Sequence, residues 1–457
     1  MTSNSLLTYG AKLINVQSVY FAPIVQIPPT YHNLSTLYCL LSRVDGWVND
    51  TAPPAPTQDQ KYIKGFLKNV FAAKQITSNQ ISPVVRRIDW SEGQVYDYYA
   101  DDYDVLKKDS NGDPYYQFYV VNRYNQVFKC LWNNNGGPSL YEPFFQPGNY
   151  NTNGIYQNID GYKWHYMYTI DDSLRIRFMD SVWIPVPIKN TTLDPVNAPT
   201  GEGYGGIEVL NVIDGGSGYN PANSLISLVI TGDGTGANGS IVYNNGSISD
   251  ILITNPGQNY TYANAYIQTA NGSGAIIAAN TVSPIGGHGY DPISELGCNH
   301  VMFSIEFDGS EGGNIPTDIT YHQVGIMANP VADSSVPLFA NSSIYKTSTS
   351  LIVAGGFGAY VRDELVYQGT SVTDNTFIGT VLDFNTSTNE LTLINTTGSL
   401  ITNVPVFGNS SGTARTLLTY TPPDFQTLSG YLVYMENRSA IQRSTDGIEQ
   451  FKVVLTY

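Results

Sequence analysis

The stretch Ser429-Gly-Tyr-Leu-Val-Tyr-Met-Glu-Asn-Arg438, with the closing residues 448–457, decides how the chain is read. Tyr431, Val433 and Met435 would point one way from an extended segment and Leu432 and Tyr434 the other, so both faces are apolar. Such a run predicts a strand buried on both sides, ending where Glu436, Asn437 and Arg438 cluster, although a short apolar run is also compatible with a helix. After the turn signal Asp446-Gly447, Phe451, Val453, Leu455 and Tyr457 alternate with Gln450, Lys452 and Thr456, a period of two broken at Val454. The terminus therefore lies inside a strand, which predicts a late-closing core element.

Working outward, residues 36–44 alternate Leu37, Cys39 and Leu41 against Tyr38 and Leu40, predicting a buried strand stopped by Asp45-Gly46-Trp47. Residues 1–30 hold apolar patches of ambiguous period and are read as a short strand and a helix. A proline-dense extended segment (Pro53, Pro54, Pro56) leads to the one clear helix. Thr57 and Gln60 have capping-box spacing there, and Tyr62, Ile63, Phe66, Leu67, Val70 and Phe71 form a core-facing stripe. Residues 115–132 alternate around Asn122–Asn125, predicting a hairpin. Residues 162–170 predict a strand with Tyr162, Trp164, Tyr166 and Tyr168 on one face and His165 outward.

Composition changes to Gly, Asn and Ser at 201–292, where glycine corners recur. Gly215-Gly-Ser-Gly-Tyr-Asn-Pro221 is echoed at Pro256-Gly-Gln-Asn-Tyr-Thr261 and again at Gly286-Gly-His-Gly-Tyr-Asp-Pro292, and Gly234-Thr-Gly-Ala237 at Gly272-Ser-Gly-Ala275. Strand candidates at 227–231, 247–254 and 263–269 lie between them. This predicts a small repeated β module, since turns with positive φ need glycine. No lysine or helix follows these glycines, so a phosphate-cradling loop is rejected. A second departure, residues 346–421, has strands about every 10 residues separated by Gly, Asn and Ser turns, predicting a barrel-like insert.

Bulk properties set the limits. A chain of 457 residues and 50.0 kDa predicts two to four domains. Charged residues make up only 13%, while 34 tyrosines and 43 glycines stand out, as expected for a β-rich protein with uncharged polar surfaces and tyrosine-lined contacts. A net charge of −16 argues against nucleic acid as a partner. No apolar run is long enough for a membrane helix, and the first residues lack the pattern of a signal peptide. Cys39, Cys130 and Cys298 are widely spaced and odd in number, and read as buried free thiols made in a reducing cytoplasm.

The five histidines show no metal-binding spacing, and no nucleophile elbow or Cys–His signature occurs. Asp109-Ser-Asn-Gly-Asp113 crowds oxygens but lacks a full calcium loop and is already a good turn. The acidic pairs Asp101/Asp102 and Asp171/Asp172 leave a glycan-hydrolysing reading open without supporting geometry. No catalytic, cofactor or metal set is expected, and the chain is read as not an enzyme.

The segment "SGYLVYMENRSAI" at 429–441 resembles the C-terminal signature of the dimeric baseplate wedge proteins of contractile-tailed, T-even-type bacteriophages. Other segments are similar in the same order. They are the prolines and helix followed by Val85-Arg-Arg-Ile-Asp-Trp90, the aromatic Tyr162–Tyr166 strand, Trp183-Ile-Pro-Val-Pro-Ile188, and Tyr321-His-Gln-Val-Gly-Ile-Met-Ala-Asn-Pro330. The resemblance covers about 1–195, 298–335 and 426–457; the two modules depart from it.

It implies a mainly β, multidomain, β-sandwich-like scaffold with a few short helices. Residues 1–200, 293–345 and 422–457 would form that scaffold, and 201–292 and 346–421 two small inserted β modules. It further implies a homodimer located in the virion's tail baseplate, with no membrane insertion. The expected partners are other wedge subunits and peripheral, fibre-attachment proteins. Arg86, Arg87, Asp89 and Trp90, with Tyr434, Glu436, Asn437 and Arg438, are the expected interface residues. Arg86 and Arg87 are either a solvated edge paired with Asp89 or a positive spot for a neighbour's carboxylate. Glu436 and Arg438 are expected to brace the strand against the Arg86–Trp90 segment or across a subunit boundary. Arg443, just before the turn, is expected to be dispensable. The competing class is a receptor- or glycan-binding tail protein, with the Tyr/Asn/Gly-rich insert as its support.

Overall fold

A computed structural model of the chain describes residues 36–44, 46–146, 154–188, 205–220, 226–279, 281–284, 287–309, 315–332 and 338–457. The strand and helix expected in residues 1–30, and Asp45, lie outside them. The protein is mainly β, with three α-helices among the described residues and several small antiparallel sheets. It divides into two compact units, one containing Ser82–Met302 and Val454–Tyr457, the other containing Phe303–Val453 and the segment ending at Ile81.

In the first unit a four-stranded sheet runs in the order Tyr119–Val121, Gln126–Asn133, Tyr162–Thr169, Ile155–Gln157. The expected hairpin closes at Asn125, whose φ of 59° is one that Asn tolerates. Tyr162, Trp164 and Tyr166 pack with Tyr96, Val120, Phe128 and Cys130, and the Tyr162 and Trp164 rings stack at 5.4 Å. The other face of the same strand carries Lys163, His165 and Met167 and is buried as well. His165 therefore does not point outward. The face that looked like the solvent side is covered by residues 205–211 and 287–297, as the Val209 contact with Leu131 and Ile155 and the ion pair of Lys129 with Glu295 show.

The repeat module packs a sheet in the order Ser227–Gly232, Ala263–Gln268, Ser273–Ala278, Asn211–Ser217 against the hairpin Asn238–Asn244 and Ser247–Asn255. Its repeats interlock reciprocally. The Tyr219 hydroxyl accepts from the Ala275 amide and that of Tyr260 from the Ala237 amide. Each ring fills the space that a side chain on the opposite corner would need, since a Cβ on Gly272 would lie 2.6 Å from Tyr219 and one on Gly234 2.4 Å from Tyr260. The third echo does not form such a corner: its Asp291 caps the short helix Pro292–Glu295.

In the second unit an antiparallel sheet runs Val70–Ile76, Leu37–Ser42, Ile319–Ala328, Tyr431–Arg443. All six residues of Leu37–Ser42 are buried, as its two-faced apolar pattern requires. The helix Gln60–Lys68 is capped by Asp59, which accepts from the Tyr62 amide and the Thr57 hydroxyl, so Thr57 supports the cap instead of being it. Its stripe ends at Leu67; Val70 and Phe71 already belong to the next strand. Residues 349–421 form a closed six-stranded barrel around Leu351, Val366, Val381, Leu391, Leu393 and Leu417. Closure leaves this module no unpaired sheet edge.

Candidate functional site

Tyr431–Arg443 is the last strand of its sheet, and its pairing explains the signature. Tyr434, Met435, Glu436 and Asn437 lie opposite Ile326, Gly325, Val324 and Gln323. The strand is not buried on both faces. Tyr431 is 74% and Val433 47% exposed, while Leu432 and Met435 pack on the core. The register shifts between Leu432 and Tyr434, so Val433 has no cross-strand partner and Leu432 and Met435 share the core side while Tyr431 is left out. Nor does it end at Glu436: it continues through the polar cluster to Arg443.

Each of those polar side chains finds a partner, although Arg438 Nε is buried without one. Glu436 accepts from the Tyr434 hydroxyl at 2.8 Å and from the Arg438 guanidinium at 2.9 Å, and Arg438 lies over the Phe451 ring at 5.2 Å. Burial, then Glu436, pushes the Tyr434 hydroxyl's pKa well up. Asn437 does not fold back on its own backbone. It donates to the Pro54 carbonyl at 2.7 Å and to the Tyr62 hydroxyl at 2.6 Å, and accepts from Gln323 at 2.8 Å. The strand's outer edge is covered around 438–440, where Trp47 Nε1 donates to the Arg438 carbonyl and the Ala440 amide donates to Asp50. Capping by side chains is one way proteins blunt a strand edge. The first half of the strand carries the exposed apolar residues.

Arg443 overturns its expected dispensability. It is fully buried, donates to the carbonyls of Pro316 at 3.1 Å and Asp308 at 2.9 Å, and pairs with Glu449. The available signal was its position three residues before Asp446, with Glu449 two after Gly447, which the bend at 445–446 brings together.

The Arg86–Trp90 segment belongs to the other unit. Arg86 pairs with Asp113 at 2.6 Å and lies over the Trp183 ring at 5.0 Å. Arg87 binds Asp89 at 2.9 Å and the Asp180 carbonyl at 2.9 Å, so the expected Asp89 partner is present. Trp90 Nε1 donates to the Ser139 hydroxyl at 3.0 Å while its ring packs on the aromatic core. Glu436 and Arg438 take each other as partners, and the polar groups of Arg86–Trp90 take theirs within their own unit.

Sequence reasoning missed a buried charge cluster in the first unit. Lys129 and Glu295, both fully buried, form an ion pair, with the Tyr99 ring 4.4 Å from Lys129 Nζ. Glu295 also accepts from the amides of Gly289 at 3.0 Å and Asp291 at 3.2 Å, and His288 Nδ1 lies 3.9 Å from it. The His165 and His288 rings are 5.8 Å apart. Burial, with the nearby Lys129 charge, lowers His165 to about 3 and His288 to about 4. Burial pushes Glu295 up, but Lys129 and His288 more than offset it and hold the carboxyl at about 2. The result is a charged pair flanked by neutral imidazoles, joining two strands to the Pro292–Glu295 helix. Cys39, Cys130 and Cys298 are each buried, and burial raises all three thiols. Asp109 is occupied as a turn former, accepting from the amides of Asn111 and Asp113.

No protein-family model and no curated protein sequence matches the chain.

Proposed function

We propose that this chain is a structural, non-enzymatic subunit of a phage tail baseplate wedge that works as a homodimer. It would assemble with other wedge subunits and peripheral, fibre-linked proteins in the virion and take part in the baseplate change that triggers contraction. The reading rests on the resemblance of five ordered segments, and the single structural observation that favours it is the signature strand. Tyr431 and Val433 stand exposed on an edge strand that pairs with Ile319–Ala328 along most of its length, with exposed Leu428 just before it. A rigid, apolar, edge-on surface suits subunit contact better than catalysis. The acidic chain, at −16, fits protein partners and not nucleic acid.

Sedimentation equilibrium tests it. Two chains of 50.0 kDa make a dimer of about 100 kDa, and Tyr431→Lys with Val433→Lys should return single chains that no longer enter a wedge when mixed with its neighbouring gene products. A trimer, as in fibres and tailspikes, would overturn the proposal.

A further inference from the structure

The repeat module has an outer sheet face that the wedge reading does not use. Leu228, Ile230, Ala265, Ile267 and Ile277 point into the module's core. By strand alternation their neighbours point out. Val229 pairs with Tyr266 and Thr231 with Asn264, while the pairing of Ala265 with Ile277 sets Tyr266 beside Ile276. A row Val229–Tyr266–Ile276 thus crosses three strands, with Tyr266 50% and Ile276 57% exposed. Thr231 and Asn264 border it on one side and Gln268 on the other, all three exposed.

The charges narrow the ligand. Residues 205–279 contain no Lys, Arg or His. Of their acids, Asp250 is paired with Lys163, and Asp233 is occupied by the Thr261 amide and hydroxyl. Phosphate- or carboxylate-bearing ligands therefore find no cation within residues 205–279, which disfavours nucleic acid and acidic glycans. What the face offers is an aromatic ring in an apolar row, edged by uncharged donors and acceptors. A tyrosine ring combines an apolar body with a polar tip. A pyranose is its counterpart, with an apolar C–H face and a rim of hydroxyls that amides and hydroxyls can pair with.

We propose that this face binds a neutral polysaccharide, with Tyr266 as the stacking platform and Asn264, Thr231 and Gln268 as hydroxyl partners. The site stands independently of the wedge reading.

The test is binding of the fluorescently labelled full-length chain to an array of neutral gluco-, galacto-, manno- and N-acetylglucosamine oligosaccharides, at low and high salt. Binding to at least one class, insensitive to salt and weakened about tenfold or more by Tyr266→Ala, is expected; that loss corresponds to about 1.4 kcal/mol. Tyr420→Ala, an exposed tyrosine of the barrel, should bind as wild type. Failure of the wild-type chain to bind any neutral glycan would overturn the proposal, as would binding untouched by Tyr266→Ala. Loss of dimerisation or wedge entry in Tyr266→Ala, without glycan binding in the wild type, would also overturn it and make the face a protein interface. Because Tyr266 is exposed, that variant folds, and its far-ultraviolet spectrum checks this. The dimer measurement above is separate, so one proposal can fail while the other stands.

Discussion

Two arginines on one strand have opposite energetic weights. Arg443 is fully buried with a carboxylate and two carbonyls, so removing it strands Glu449 and both acceptors. Breaking such a buried pair costs about 3–5 kcal/mol. Arg438 is paired with Glu436 at the surface, where such pairs contribute less than about 1 kcal/mol. Arg443→Ala should therefore lower the thermal midpoint by many degrees and Arg438→Ala by few; equal effects would show that the buried pair is not what holds the end of this strand. The histidines give a pH dependence. Buried and neutral, His165 and His288 have folded pKa values of about 3 and about 4 against 6.5 unfolded. Between those values the unfolded chain binds more protons, so their contribution is whole above 6.5 and is lost as pH falls through that window. The melting temperature should hold at neutral pH and drop on acidification, with a shallower drop in His165→Leu/His288→Leu.

At the scale of elements, the interlocked Tyr and Gly corners explain why the repeat exists. Gly272 sits at φ 89° with the Tyr219 ring where its Cβ would go, whereas Gly246, at φ 77°, has no atom nearer than 3.6 Å. Alanine at either position meets the left-handed penalty of about 1–2 kcal/mol. Only Gly272→Ala adds overpacking, about 1–3 kcal/mol more. Calorimetry should rank Gly272→Ala below Gly246→Ala, and equal midpoints would mean that the Tyr219 ring moves aside freely. Both corner motifs were visible as repeats in the sequence. Their crosswise pairing was not, because Tyr219 and Ala275 are 56 positions apart.

For the whole molecule, the two inserts are attached differently. The barrel leaves and re-enters its unit at neighbouring positions, Ser350 lying opposite Thr421, so closing a short linker there costs little. Its side-chain ties to that unit include ion pairs with exposed partners, such as Arg43 with Asp363. The repeat module instead supplies Asp250 to Lys163, whose side chain is 8% exposed, and Val209 to the pocket of Leu131 and Ile155. Replacing 350–421 with a Gly/Ser linker should yield soluble, folded protein by size exclusion. The same replacement of 201–292 should aggregate, because it uncovers the apolar Leu131 and Ile155 on which Val209 packs. Recovery of both as soluble species would show that this cover is not needed.

The sequence alone determined the local elements: period-two strands, the 122–125 hairpin, the helix after the prolines, glycine corners and a barrel-like run of short strands. These follow from backbone and side-chain chemistry within a few residues. Only the tertiary structure decided which faces are covered. The polar side of Tyr162–Thr169 is buried because distant residues close over it, with Glu295 lying 166 positions from Lys129. The apolar start of Tyr431–Arg443 is partly exposed because the core packs on Leu432 and Met435 and leaves Tyr431 and Val433 uncovered. A strand's pattern states what each face can tolerate; the neighbour that meets it, often hundreds of positions away as Pro54 is from Asn437, determines whether water is removed.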